Sequence, residues 1–279
     1  MSDTASSAAI TPTVRRARPA LAAVADDLLE GLAMWRMWLR LAWLSTRLSY
    51  RRTILGPLWI TASTGVLVIT LGMLYSEILS RDTAVYVPHL CVGLIAWQLI
   101  RSTVAKACTV FTDAQWLRKQ QRMPYSFFVY KMAAETLIVF AHGLPLLIVV
   151  RGIYGVESGA AIAQLIPGLV LYVANALWAG FFFGILVARL RDMKNVVFSI
   201  LHVCFFFTPV IWMPNLLSAK ARYLSLNPFY YFVEIVRAPL LGNPLPEHTW
   251  LVTGAITVLG LAGALVLFAR FRSRIIFWL

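Results

Sequence analysis

Residues 57–79 read PLWITASTGVLVITLGMLYSEIL, with Glu77 as the only charged side chain. A helix that crosses the hydrocarbon core of a bilayer needs about 20 mostly apolar residues. Pro57 suits the first helical turn, where a missing N–H leaves no bond unmade. The run therefore reads as a membrane-spanning helix. Five further segments of the same kind follow at about 87–111, 127–150, 162–188, 196–212 and 250–269. The expected fold class is an all-α polytopic membrane protein with six transmembrane helices.

Composition agrees. Hydrophobic residues make up 60% of the chain and charged residues 13%, with a mean hydropathy of +0.75. Soluble domains run about 45–50% apolar and about 25% charged, so this chain cannot cover itself with polar surface in water. Its formal net charge of +13 raises nucleic-acid binding, but the Lys and Arg fall between apolar runs, where they set membrane orientation; no nucleic-acid partner is expected. Cys91, Cys108 and Cys204 have no CxxC or zinc-ligand spacing and read as small packing residues.

The charges orient the spans. Arg36, Arg40, Arg47, Arg51 and Arg52 precede the first span, and Arg118, Lys119 and Arg122 lie between the second and third. Arg189, Arg191 and Lys194 lie between the fourth and fifth, and Arg270, Arg272 and Arg274 follow the sixth. The opposite side holds Arg81, Arg151, Lys220, Arg222 and Arg237. The bias places both termini in the cytoplasm. Residues 1–25 are rich in Ser, Thr, Ala and Pro and are expected to form a disordered cytoplasmic tail, leaving 26–279 as the membrane domain.

Two stretches are not simple spans. Residues 26–50 are expected to be helical, with Arg36, Arg40, Arg47 and Arg51 on one stripe and Trp35, Trp38 and Trp43 among them. Basic residues with tryptophan suit an amphipathic helix in the membrane interface. Residues 213–249 are broken by prolines at 214, 228, 239, 244 and 246, yet 230–241 is too apolar for a free loop and too short to span. An outer re-entrant helical hairpin between spans five and six fits.

Motifs for bond-making chemistry are absent. The sequence contains no GxxxxGK[ST] phosphate loop, no HExxH and no GxSxG. His89, His142, His202 and His248 are scattered, and an isolated intramembrane histidine reads as a packed, hydrogen-bonded residue. Lys131 and Glu135, four residues apart, read as a local pair on one helix face. No metal site is expected. If the protein moves a solute, the energy comes from a gradient or a partner.

The stretch Tyr50-Arg51-Arg52-Thr53-Ile54-Leu55-Gly56-Pro57-Leu58-Trp59 resembles the approach to the first span of ABC-2 type export permeases. The branch it resembles exports polysaccharides such as O-antigen, capsule and teichoic acid. Thr208-Pro209-Val210-Ile211-Trp212, then Asn227-Pro228-Phe229-Tyr230 and the Glu234 to Gly242 block EIVRAPLLG, are similar to the same branch. The resemblance covers about 26–279. It implies the permease subunit of an ATP-driven exporter of lipid-linked polysaccharide in a bacterial cytoplasmic membrane. It also implies a homodimer, surrounded by membrane lipids, with two separate ATP-binding subunits that hold ATP and Mg; no cofactor is expected in this chain.

The resemblance places a coupling helix between spans two and three, matching 112–123, with Asp113, Gln115, Trp116, Leu117, Arg118 and Lys119 as candidate contacts to the ATPase. Arg51 and Arg52, just before the first span, are candidates for recruiting an anionic lipid head, because a guanidinium presents a planar fork of donors to phosphate. Sugars stack their C–H faces on aromatic rings and need polar partners for their hydroxyls. Candidate conduit residues are therefore Trp59, Tyr75 and Trp97, then Phe205, Phe206, Phe207 and Trp212, then Phe229, Tyr230 and Tyr231.

Other readings are an ABC-2 permease for a drug or small lipid and, as a different class, a membrane enzyme acting on polyprenyl-linked glycans. The enzyme would need clustered carboxylates, and no DxD or DDxxD pattern joins Asp26, Asp27, Asp113 and Asp192. A gradient-driven carrier would commonly show an internal repeat, and none is visible.

Overall fold

A computed structural model describes residues 20–279 apart from 52, 55, 57, 158 and 215–223. The expected tail lies outside the described residues up to residue 19, as does Arg52. The described residues are helical and contain no strand.

The chain begins with α1 (Ala20–Ala33) and α2 (Trp35–Ser49). The one helix expected over 26–50 is thus two. They separate at Met34, whose carbonyl accepts from the N–H groups of Met37 at 2.9 Å and Trp38 at 3.2 Å. Then come α3 (Leu58–Ile78), α4 (Thr83–Thr109), the short α5 (Gln115–Gln120) and α6 (Tyr125–Tyr154). A 3-10 turn (Gly159–Gln164) leads into α7 (Leu165–Arg189). The chain continues with α8 (Met193–Phe207), α9 (Pro228–Leu240), α10 (Glu247–Phe271) and α11 (Ile275–Trp278).

Five helical stretches are long and apolar enough to cross a membrane: α3, α4, α6, the 3-10 turn with α7, and α10. These make the chain a multi-pass membrane protein. The fifth expected span, 196–212, is instead the 15-residue α8. It stops because Pro209 pushes the residue before it out of the helical region; Thr208 has φ −91° and ψ 134°. Its hydroxyl donates to the Cys204 carbonyl at 2.7 Å, satisfying one of the last acceptors of the helix.

Other boundaries have local causes. Asp82 caps α4, accepting from the Ala84 N–H at 2.9 Å. Asn227 caps α9 in the same way, with Pro228 at its first position. Gly155 ends α6 at φ 67°, a left-handed conformation that costs glycine nothing.

The helix α4 is the centre of the bundle, packed by α3, α6, α7 and α9, while α10 closes on α7 and α9. One core cluster surrounds Cys91, Trp97, Val233 and Val236; a second, nearer α5, surrounds Phe111, Phe127, Phe181 and Phe268. By contrast α3 is the least buried long helix, with Val66, Ile69, Met73 and Ile78 exposed. Such a surface requires lipid or another apolar surface against it.

Candidate functional site

At the α5 end, an unforeseen anchor holds the bundle together. Asp27 is 1% exposed. Its carboxylate accepts from the backbone N–H groups of Tyr125 at 3.2 Å and Ser126 at 3.0 Å, and from Arg272 Nε at 3.0 Å. The N-terminus of α6 has no side-chain cap of its own, so a carboxylate from α1 supplies it. The Ser126 hydroxyl donates back to the Asp27 carbonyl at 2.5 Å. Gly31 permits this approach: a Cβ there would lie 2.1 Å from Ser126 Oγ and 2.9 Å from the Phe127 backbone nitrogen.

The segment 112–123 rests on this anchor. Trp116 is 69% exposed and Asp113 is exposed. Leu117 and Arg118 are partly buried, and the Arg118 guanidinium lies 3.5 Å from the centre of the Tyr125 ring. Burial pushes Arg118 below the usual arginine range, partly offset by Tyr125 and Asp27. Its buried Nη1 has no hydrogen-bond partner among the described residues. The Gln115 side-chain amide donates to the Leu279 carbonyl, and the Lys119 side chain lies outside the described set. Beside α5, Glu135 receives Lys106 at 2.7 Å and Lys131 at 2.6 Å. The pair read from sequence is therefore a triad.

At the other end, Arg237 is 2% exposed rather than a loop cation. It donates from Nη1 to the Pro209 carbonyl at 2.5 Å, from Nε to Glu234 at 3.0 Å, and lies 3.1 Å from His89 Nε2. One guanidinium thereby ties α9 to α4 and to the turn after α8. Gly93 lets that turn approach, since a Cβ there would lie 3.1 Å from the Val210 carbonyl oxygen. Tyr86 donates to the Ile211 carbonyl at 2.6 Å, and Asn227 Nδ2 to Thr208 Oγ1 at 3.0 Å.

Between these ends, α3, α4 and α8 enclose a groove of about 540 Å³. Trp97, Phe205 and Phe206 line it, with Thr64, Gln98, Arg101 and His202 as its polar members. Trp97 and Phe205 lie 5.4 Å apart between ring centres, and Phe205 and Phe206 5.3 Å. Across α8, a second cavity of about 490 Å³ is almost wholly apolar and is bounded by Ile100, Tyr172, Phe183, Leu201, Phe229 and Phe232.

Three of the ten expected conduit aromatics thus share one groove. Phe229 borders the apolar cavity, with its ring 5.7 Å from Trp97. Trp212 donates to the Phe206 carbonyl at 3.1 Å. Tyr75 packs beside Tyr86 and Leu90, and Tyr231 is buried with its hydroxyl on the Ser225 carbonyl at 3.1 Å. Tyr230 stacks edge-on against Tyr231, and Trp59 and Phe207 are exposed outside the groove. Arg101 and Gln98 give no spacing signal as isolated polar residues in an apolar run, and His202, read as a packed, hydrogen-bonded residue, is instead exposed and has no hydrogen-bond partner among the described residues. Their shared groove emerges only when α4 and α8 pack.

A helical bundle of membrane-crossing length with a groove of rings and polar side chains inside it has the architecture of a membrane transport subunit. The chain belongs to the ABC-2 type transporter family, whose model matches residues 36–241. It is also 22% identical over 228 residues to the O-antigen export system permease protein RfbA of Myxococcus xanthus, a match covering 80% of this chain and 88% of that protein.

Proposed function

We propose that this chain is the membrane-spanning permease of an ATP-driven exporter that moves a lipid-linked polysaccharide of the O-antigen type across a bacterial cytoplasmic membrane. The groove of Trp97, Phe205 and Phe206 interleaved with Thr64, Gln98 and His202 carries this reading. Ring faces bind the C–H faces of sugars without fixing a register, and the scattered polar groups exchange hydroxyls as the chain slides. The likeness over most of its length to an O-antigen export permease supports the same cargo.

In this reading α8 is the fifth of six spans. Its 15 residues extend only about 22 Å, and 208–214 completes the crossing as irregular backbone buried in protein, which a membrane tolerates. The buried α9 is then the inner arm of a re-entrant outer hairpin. Both termini lie in the cytoplasm, where the basic loops are. Two copies pair across the poorly buried α3 face, and each pair works with two ATP-binding subunits that hold ATP and Mg. Arg51, with Arg52 beside it in sequence, recruits the anionic lipid head at the cytoplasmic interface.

The ATPase docks on 112–123. Exposed Trp116 and Asp113 offer the contact, and Arg118 holds an unmet buried donor beside them. Single cysteines along 112–123 should cross-link to a co-purified ATP-binding subunit, with Trp116 the strongest position. Cross-links concentrated at 189–194 instead would reassign the docking site.

Alanine at Trp97, Phe205 or Phe206 should slow glycan export by about fivefold, at roughly 1 kcal/mol of lost stacking per ring. Dimer formation and basal ATP hydrolysis by the complex should persist. Unchanged export in all three variants, in properly assembled complexes, would remove the groove from the path. The apolar cavity across α8 favours a second reading, an exporter of a small lipid without glycan. That protein would tolerate loss of the groove rings.

A further inference from the structure

The groove contains a cation that nothing in the bundle accounts for. Arg101 lies within α4, eight residues before its end at Thr109, or about 12 Å along the helix axis. It is exposed and has no ion-pair or hydrogen-bond partner among the described residues. Lys106, five residues on, shares Glu135 with Lys131, whereas Arg101 has no acidic partner among the described residues. Gln98 and His202 share the groove wall with it and also lack hydrogen-bond partners among the described residues. His202 only meets the Phe206 ring edge-on at 5.5 Å.

An unpaired guanidinium inside a membrane-crossing helix is costly unless water or an anion meets it. The donors here are specific in kind. A guanidinium fork, a carboxamide and an imidazole can all donate to oxygen, and among the described residues no carboxylate lines the groove to compete for them. Such a set fits a phosphate with several oxygens better than a neutral sugar hydroxyl.

We propose that Arg101, assisted by Gln98 and His202, forms a phosphate-binding subsite that holds the anionic head of a lipid-linked cargo inside the groove between α3, α4 and α8. The inference rests on the lipid-linked reading above and adds to it where the head is held. The aromatic wall of Trp97, Phe205 and Phe206 begins beside the subsite, so the first sugar after the phosphate would meet a ring face. The phosphate could come from the diphosphate of a carrier lipid or from an anionic bilayer headgroup, and both present the same oxygens.

The full chain, purified in detergent, can be titrated with geranylgeranyl diphosphate and with geranylgeraniol, reading bound lipid by native mass spectrometry. The wild type should bind the diphosphate about tenfold or more tightly than the alcohol. Arg101→Gln should erase most of that preference, and Arg101→Lys should keep a part of it. Gln98→Leu combined with His202→Leu should weaken the preference about threefold, a check that leaves the arginine in place. Displacement by phosphatidylglycerol at equal concentration would support the subsite and name the bilayer as its source; resistance to it would name the carrier. A wild type without preference, or an Arg101→Gln protein with the same preference, overturns the subsite and leaves Arg101 as a cation that merely reaches for the interface. Glycan export by the complex separates the two readings. Export without any diphosphate preference removes only the subsite, whereas a preference lost in Arg101→Gln with no glycan export at all removes only the polysaccharide.

Discussion

Arg237→Ala should destabilise the bundle by about 3–5 kcal/mol, the usual result of removing one partner from a buried charged pair. The guanidinium is enclosed, and its loss leaves the partly buried Glu234 without its cation and the Pro209 carbonyl without its donor. That one group joins α9 to the turn after α8 and to α4. The measurement is the thermal unfolding of detergent-purified protein, where a fall of roughly 10 °C or more is expected. The paired variant Arg237→Leu with Glu234→Leu should recover part of the loss, because it removes the stranded carboxylate as well. A single variant melting with the wild type would show that the network contributes nothing to the fold.

Asp27→Ala should cost about 2–4 kcal/mol, combining a lost helix cap with a broken buried ion pair. It uncaps α6 and leaves Arg272 without its carboxylate. Because α5 and Arg118 rest on Tyr125 at the start of that helix, the damage should extend to the docking segment. Proteolysis should open 110–125 in the variant while the spans stay protected. Asp27→Asn, which keeps an acceptor but not the charge, should be intermediate. Equal protection in wild type and Asp27→Ala would refute the anchor.

The long helices were legible in sequence because a bilayer demands about 20 apolar residues in a row, and that demand is local. So were a short helical element over 230–241, through its apolar run, and the pairing of Lys131 with Glu135, through helical spacing, although Pro228, which opens α9 behind the Asn227 cap, read only as a break. The early stop of α8 was signalled by Thr208-Pro209 but masked by the apolar residues that follow it. Asp27 reads as one more carboxylate near a basic interface. Its partners stand 98 and 245 residues away, and nothing local announces them. Arg237 was assigned to the outer charges for the same reason, since its burial depends on His89 and on the turn after α8. For the site, the sequence supplied the rings but not their grouping. Trp97, Phe205 and Phe206 converge because α8 lies along α4, while Trp59 and Phe207 turn away.

Translocation itself can be observed in proteoliposomes that contain this chain and its ATP-binding subunit, loaded with a lipid-linked glycan on the outer leaflet that corresponds to the cytoplasmic face. The readout is protection of the glycan from an added glycosidase. Protection should grow only with ATP, should require both subunits, and should slow sharply with Trp97→Ala or Phe205→Ala. Protection that develops equally without ATP, or ATP-driven movement of the bare carrier lipid while the glycan-bearing one stays outside, would contradict a polysaccharide exporter.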